Sequence, residues 1–362
     1  MKLGKSAQLG GFSLAVVLAS APASARADDC GSQAVSTCIN SDTFWPHPGP
    51  TRFLGVGGTE TVDRGQVGFG LVTTYQSRPV VLLTASPGGG GGKSFAVDNQ
   101  VTGNFLWQYG VTRDLALDVG LPITLGQSGA GISALSGGAS LKSTAVRDLR
   151  FGFAYAIASR ERISPDAAPR REALGRHFSL AARLSLGAPV GDKSELAGER
   201  TVVFVPSLAG DYRRGRFFAG LELGARIRPV TELVGTRVGT QALAGLGLGV
   251  DLLRRELLSV QLEARALYNF PEQAVASVAG GATSSTPNGK HIVPSEWMLS
   301  VRSAPVLGGD LAFLLGGGGA LAPDAPITTP RFRFTLGIVY APRGRALPKP
   351  STQPVPVPGN VP

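Results

Sequence analysis

Charge, histidine and long apolar runs are all scarce in this 362-residue sequence. Charged residues make up 17% of the chain, against about 25% in an ordinary soluble domain. The three histidines, His47, His177 and His291, lie too far apart for the usual metal-site spacings, so we expect no metal and no cofactor. Beyond the N-terminus, no apolar run reaches the roughly 18 residues of a transmembrane helix. The sequence therefore indicates neither a metalloprotein nor a helical membrane protein.

The basic excess, a formal net charge of +10, does not indicate nucleic-acid binding. The arginines occur singly at alternate positions and in turns, and no helix rich in Lys and Arg accompanies them. The glycine run Pro87–Ser94 ends in Gly-Lys-Ser, as a phosphate loop does, but Pro87 occupies the place of its first glycine. Strand-like patterns rather than a helix follow, so we interpret this run as an external loop.

The N-terminus has the features of a signal peptide. Lys2 and Lys5 precede the apolar core Phe12–Leu18, and a small-x-small cleavage site ends at Ala27. We therefore expect residues 1–27 to be removed during export, which fits a Gram-negative envelope protein.

The mature chain begins with an irregular segment, 28–64, that contains both cysteines of the sequence. An even pair of cysteines in an oxidising compartment predicts a disulfide between Cys30 and Cys38. The segment is interpreted either as a plug at the periplasmic mouth of the membrane domain or as a loose periplasmic arm. At the other end, the proline-rich stretch 342–362 predicts an extended, mobile periplasmic tail.

Between these segments, 65–341 alternates apolar and polar residues with a period of two. The pattern is clearest in Phe217–Pro229, Val238–Leu252 and Leu258–Asn269. Tilted strands of about this length cross a bilayer. The sequence therefore predicts an all-β, antiparallel transmembrane β-barrel of about 12 strands.

The connections alternate in length as well. Gly110–Asp114, Arg213–Arg216, Leu253–Glu256 and Leu307–Asp310 are short, whereas most others are longer and rich in Gly, Ser, Thr and Pro. Short periplasmic turns and longer external loops are typical of bacterial barrels. Arg160–Arg176, long and basic, is the exception among the predicted periplasmic connections.

Charged residues that share the inward parity of the predicted strands are the candidate site, because charge is costly on the lipid face. They are Asp118, Asp148, Arg150, Arg183, Glu222, Arg226, Arg228, Asp251, Glu263, Arg265, Arg302, Arg331 and Arg333. One interpretation is a polar transport pathway whose excess of arginine favours anionic or polar solutes. The alternative is a structural barrel whose lumen is filled by mutually paired charges.

An outer-membrane lipase is the less favoured alternative. His177 and Ser179 form a His-x-Ser pair like that of twelve-stranded phospholipases, but Leu180 and Ala181 replace the Asn-Gly that follows there. The pair is also predicted at the periplasmic end of its strand. We therefore expect no catalytic residue and no enzyme.

Two stretches resemble known families. Asp148–Phe153 resembles the strand opening of outer-membrane barrels of the phenol-degradation MetA-pathway transporter type, and Pro330–Pro342 with its proline-rich spacer resembles the barrels of myxobacterial OmpA-family proteins. The resemblance implies an outer-membrane channel or transporter. Together with the arginine excess, we expect it to pass small solutes, anionic or aromatic. The expected partners are outer-membrane lipid, these solutes and the barrel-assembly machinery; no nucleic acid is expected.

Cell fractionation provides the first test. The mature chain, beginning near Asp28, should be recovered in the outer membrane and should migrate differently on gels before and after boiling, because folded barrels resist detergent. Recovery as a soluble periplasmic protein would contradict the signal-peptide and barrel predictions together.

Overall fold

The structure, a computed structural model, describes residues 30–32, 35–84, 92–112, 114–133, 140–158, 177–253, 258–279, 282–303, 311–322 and 326–342. Twelve long strands dominate it. They are β1 (Val67–Thr84), β2 (Gly92–Gly110), β3 (Leu115–Ser128), β4 (Leu149–Ala158), β5 (Phe178–Ala188), β6 (Val203–Arg214), β7 (Phe217–Arg226), β8 (Gln241–Asp251), β9 (Leu258–Asn269), β10 (Ser295–Ser303), β11 (Leu311–Ala320) and β12 (Phe332–Tyr340). Within these ranges, no helix has the length and apolar character needed to span a bilayer.

Antiparallel pairing runs round the whole sheet. Each strand pairs with its neighbour in sequence, and β12 pairs with β1, so the sheet closes on itself. Closure provides partners for the backbone N–H and C=O groups, which lipid cannot do. This confirms the predicted all-β, antiparallel barrel and its strand number.

The alternation of residue types separates two faces of the wall. In β12, Phe332, Phe334, Leu336, Ile338 and Tyr340 are all exposed, and the residues between them are buried. A wall with an apolar outer face and polar residues turned inward is the reverse of a water-soluble fold and matches a lipid environment. The protein is therefore an outer-membrane β-barrel.

The two ends of the barrel differ. At the turn end, short connections join β2 to β3, β6 to β7, β8 to β9 and β10 to β11; at the loop end, most connections are longer. By the rule for bacterial barrels, the turn end faces the periplasm. The predicted signal peptide 1–27, the connection Arg160–Arg176 and the tail beyond Pro342 lie outside the described residues.

Shorter elements lie at the loop end. Val35–Ser36 joins Gly31–Ser32, Thr231–Leu233 and Thr236–Val238 in a four-stranded sheet. A separate hairpin pairs Ala274–Ala279 with Ala282–Pro287. The remaining short elements are the strand Ala145–Val146 and the 3-10 turn Lys193–Glu195.

The lipid-facing wall can be tested with Leu221→Arg. Leu221 lies near the middle of β7 and is 47% exposed, so an arginine there should lower the free energy of unfolding by about 2–4 kcal/mol. The control is Leu321→Arg, next to the end of β11, where the cost should be about 0–1 kcal/mol. Urea unfolding of the lipid-embedded protein measures both variants. Equal costs would contradict the assigned membrane-spanning region.

Candidate functional site

Residues 35–64, here called the inner segment, run through the inside of the barrel from the loop end to the turn end. At the loop end, Ile39 packs in an apolar cluster with Leu82, Leu196 and Leu233. At the other end, the N–H of Gly65, where the segment ends, donates to the carbonyl of Gly110 at 2.7 Å. Most residues between these points are buried. The inner segment therefore occupies the lumen along most of its length.

The start of this path lies at the loop end. Cys30 and Cys38 are joined by a disulfide, and Val35 pairs with Leu233 in the short sheet there. From the sequence, the segment was expected either as a plug at the periplasmic mouth or as a loose periplasmic arm. The structure carries it to the opposite rim, where Ile39 enters an apolar cluster that alternation within the strands could not reveal.

Two wall carboxylates hold the backbone of the inner segment. The carboxylate of Glu263 accepts hydrogen bonds from the N–H groups of Leu54, Gly55 and Val56, at 2.8, 2.7 and 3.1 Å. Glu222 accepts one from the N–H of Gly57 at 2.8 Å. An irregular chain has no strand neighbour for its N–H groups, and these carboxyl oxygens accept the hydrogen bonds that a neighbouring strand would otherwise accept.

Wall arginines hold the carbonyl groups of the same segment. Arg226 and Arg265 both donate to the carbonyl oxygen of Thr43, at 3.0 and 2.9 Å. Arg183 donates to the carbonyl of Gly58 at 3.0 Å. The wall thus binds both polar groups of the inner segment's backbone. Its carboxylates accept hydrogen bonds from N–H groups, and its guanidinium groups donate hydrogen bonds to C=O groups.

Two adjacent aromatic residues of the inner segment lie against guanidinium groups. The contacts, from guanidinium carbon to ring centroid, are Arg150 and Arg226 to Trp45, at 4.6 and 4.8 Å, and Arg265 and Arg333 to Phe44, at 5.4 and 4.8 Å. Cation–π attraction increases where water is excluded. All four arginines have little exposure to solvent, which favours these contacts.

Space remains beside these rings. Trp45, His47, Arg150 and Arg226 line a small cavity of about 40 Å³. A second cavity, of about 20 Å³, adjoins Phe44. The two spaces lie next to the clustered arginines, which makes this level of the barrel the candidate site.

The predicted lumen residues fall into three groups. Those that contact the inner segment are Arg150, Arg183, Glu222, Arg226, Asp251, Glu263, Arg265, Arg302 and Arg333. Asp118, Asp148 and Arg228 are buried and bond within the wall or its loop-end connections. Arg331 is exposed. Arg331 precedes the first residue of β12, so the alternation within that strand does not determine which way its side chain points.

Several site residues were missed from the sequence. Gly220 and Gly247 lie opposite each other in β7 and β8, and a Cβ at either would lie 2.6 or 2.5 Å from the ring of Phe53. Glycine at inward positions, where polar residues were expected, was the available signal that something packs close to the wall. Arg147, fully buried, donates to Asn40 of the inner segment; it lies between strands, where alternation gives no assignment.

The structure does not join His177 and Ser179, the pair considered for the less favoured lipase alternative. The hydroxyl of Ser179 is 2.6 Å from that of Thr59 in the inner segment. His177 is exposed, and its Nδ1 lies 2.7 Å from the carbonyl of Arg213 at the turn end. Ser179 therefore helps to hold the inner segment instead of bonding to His177.

Comparison with known proteins shows which of them share this fold. No family model and no curated protein matches the sequence. The COG4313 outer membrane channel from Pseudomonas putida F1 superposes with a TM-score of 0.50 at 14% identity, covering 78% of this chain and 98% of that one. The P. putida toluene transporter TodX gives 0.38 at 12% identity, with coverages of 77% and 91%. At 14% identity, the superposition on the COG4313 channel shows a shared barrel fold alone. The resemblance to the MetA-pathway and OmpA families therefore stays a prediction.

Glu263→Ala tests how the inner segment is held. Losing a carboxyl group that accepts three N–H bonds should raise the amide hydrogen-exchange rates of Leu54–Val56 by about tenfold or more. Ser300→Ala, a buried change on the neighbouring strand β10, is the control and should leave those rates unchanged. Equal exchange in Glu263→Ala and the parent protein would mean that the carboxylate does not anchor the segment.

Proposed function

We propose that this protein is an outer-membrane channel for small anionic solutes and that its inner segment closes the lumen until it is displaced. The observation that carries the proposal is the partner choice of the wall arginines. Arg226 and Arg150 direct hydrogen bonds to carbonyl groups of the inner segment, at Thr43 and Phe44. Moving the segment would free these donors for a solute.

Charge supports the preference for anions. Arg150, Arg226 and Arg265 come together around one space. Of the two carboxylates lining it, Asp118 is paired with Arg183 at 2.9 Å. Rings of arginine select anions in pores, because their donors replace part of the solute's hydration shell. A lumen vacated by the segment would therefore favour anions over cations.

The alternative of a structural barrel without conduction also has an observation in its favour. Some wall charges pair with one another, as Arg333 does with Glu296 at 2.9 Å. If all lumen charges behaved in this way, removing the inner segment would let them collapse into further pairs and open no path. Conductance distinguishes the two functions.

Planar-bilayer recording tests the channel. Deleting Asp28–Asp63 and keeping all twelve barrel strands should raise single-channel conductance above that of the full chain, with a reversal potential that indicates anion preference. Arg226→Ala combined with Arg265→Ala should weaken that preference, because both side chains face the lumen. A gel shift on boiling confirms that each variant is folded.

Arg214→Ala combined with Arg216→Ala is the matched control, since it removes the same charge from exposed positions at the turn end. Its ion preference should equal that of the parent. A folded deletion variant that conducts no better than the full chain would support the structural barrel instead. Phospholipid hydrolysis that Ser179→Ala abolishes would point to the lipase.

A further inference from the structure

Four wall arginines bind the inner segment in the same double manner. Arg150 donates to the carbonyl oxygen of Phe44 at 3.5 Å, and its guanidinium carbon lies 4.6 Å from the centroid of Trp45. Arg226 donates an N–H to the carbonyl oxygen of Thr43 at 3.0 Å, and its guanidinium carbon lies 4.8 Å from the centroid of Trp45. Arg265 donates to the same oxygen at 2.9 Å and lies 5.4 Å from the centroid of Phe44. Each guanidinium group thus binds an oxygen and contacts an aromatic ring.

Arg333 repeats the arrangement with a true carboxylate. It donates to Oδ1 of Asp42 at 3.1 Å and lies 4.8 Å from the centroid of Phe44. Asp42 is fully buried. The planar guanidinium group suits this double contact, because its edge carries N–H donors and its faces stack on aromatic rings. The stretch Asp42–Trp45 therefore presents acceptor oxygens and aromatic rings side by side.

We infer, building on the proposed channel function, that Arg150, Arg226, Arg265 and Arg333 form a binding site for small aromatic carboxylates. Asp42–Trp45 occupies this site with the same chemical groups and gives way to the solute. The inner segment thereby competes with the solute for a shared set of guanidinium groups.

The donors at this site are not fully used. Within the described residues, Nε and Nη2 of Arg150 and Nε of Arg226 have no hydrogen-bond partner, although both side chains are more than nine-tenths buried. Both arginines line the space beside Trp45. A carboxylate offers about four lone-pair sites, against two on a peptide carbonyl. It can therefore bind donors that the Thr43 carbonyl leaves unpaired.

The same donors select between classes of solute. A neutral aromatic molecule would leave buried guanidinium donors without acceptors, which is costly. An aliphatic carboxylate would provide acceptors but no ring for the guanidinium faces. Only a molecule with both features satisfies the edge and the face of Arg226 together.

Isothermal titration of the full chain in detergent tests the site, with benzoate, cyclohexanecarboxylate and toluene as probes. In Trp45→Ala, which vacates the position beside Arg150 and Arg226, benzoate should bind at least about tenfold more tightly than in the parent. It should also bind about tenfold more tightly than cyclohexanecarboxylate, the effect expected from about two cation–π contacts. Toluene should bind no more tightly than cyclohexanecarboxylate.

Phe53→Ala is the matched control, because it removes another buried ring of the inner segment that packs with Val56 and Phe218. It should gain no benzoate affinity. Adding Arg226→Gln to Trp45→Ala should weaken benzoate binding about tenfold, while Arg302→Gln, made in the same background, should not. Equal affinity for benzoate and cyclohexanecarboxylate, or an equal gain in Phe53→Ala, would overturn the site.

Binding and conduction are measured separately, so the two proposals can fail separately. Benzoate binding as expected, without conductance in any variant, would support the binding site and contradict the channel function. Anion conductance after deletion of Asp28–Asp63, without a preference for benzoate in Trp45→Ala, would support the channel function and contradict the binding site.

Discussion

Mutual satisfaction of buried polar groups is the constraint on which this structure depends. The inner segment, irregular beyond the short strand Val35–Ser36, lies inside a closed barrel, where its own backbone supplies few hydrogen-bond partners. Glu263 and Glu222 accept its N–H groups, and Arg226 and Arg265 bind its carbonyl oxygens. Unpaired, each of these buried groups would cost free energy. The charged side chains of the wall and the backbone of the inner segment therefore stabilise each other.

The two ends of the inner segment are held by different forces. At the loop end, Ile39 lies in an apolar cluster with residues from several connections, next to the disulfide of Cys38. Further in, hydrogen bonds to charged side chains predominate. Water or a solute can replace hydrogen bonds, whereas exposing an apolar cluster has no such compensation. In the proposed channel, the polar middle of the segment is therefore the part that a solute displaces.

The structure of the candidate site also changes the interpretation of the charged residues in the lumen. The alternation of residues identified inward charges as the lining of a pathway. Most of them contact the inner segment instead, including Arg183 at Gly58 and Arg302 at Thr51. The inward parity of a charged residue therefore shows only that its side chain lies on the lumen side of the wall. It does not show whether the partner of that side chain is water, a solute or the protein's own chain.

The sequence by itself determined the barrel: its strands, their two faces, their number and the compartment. It could do so because a period of two is a local property, and lipid outside the wall imposes it on every strand. The tertiary structure alone decided what fills the lumen. The residues that Glu263 binds begin at Leu54, 209 positions away. The space for the ring of Phe53 requires Gly220 and Gly247 to be paired in neighbouring strands. Contacts at such separations depend on how the closed wall brings distant residues together, and no local pattern encodes that.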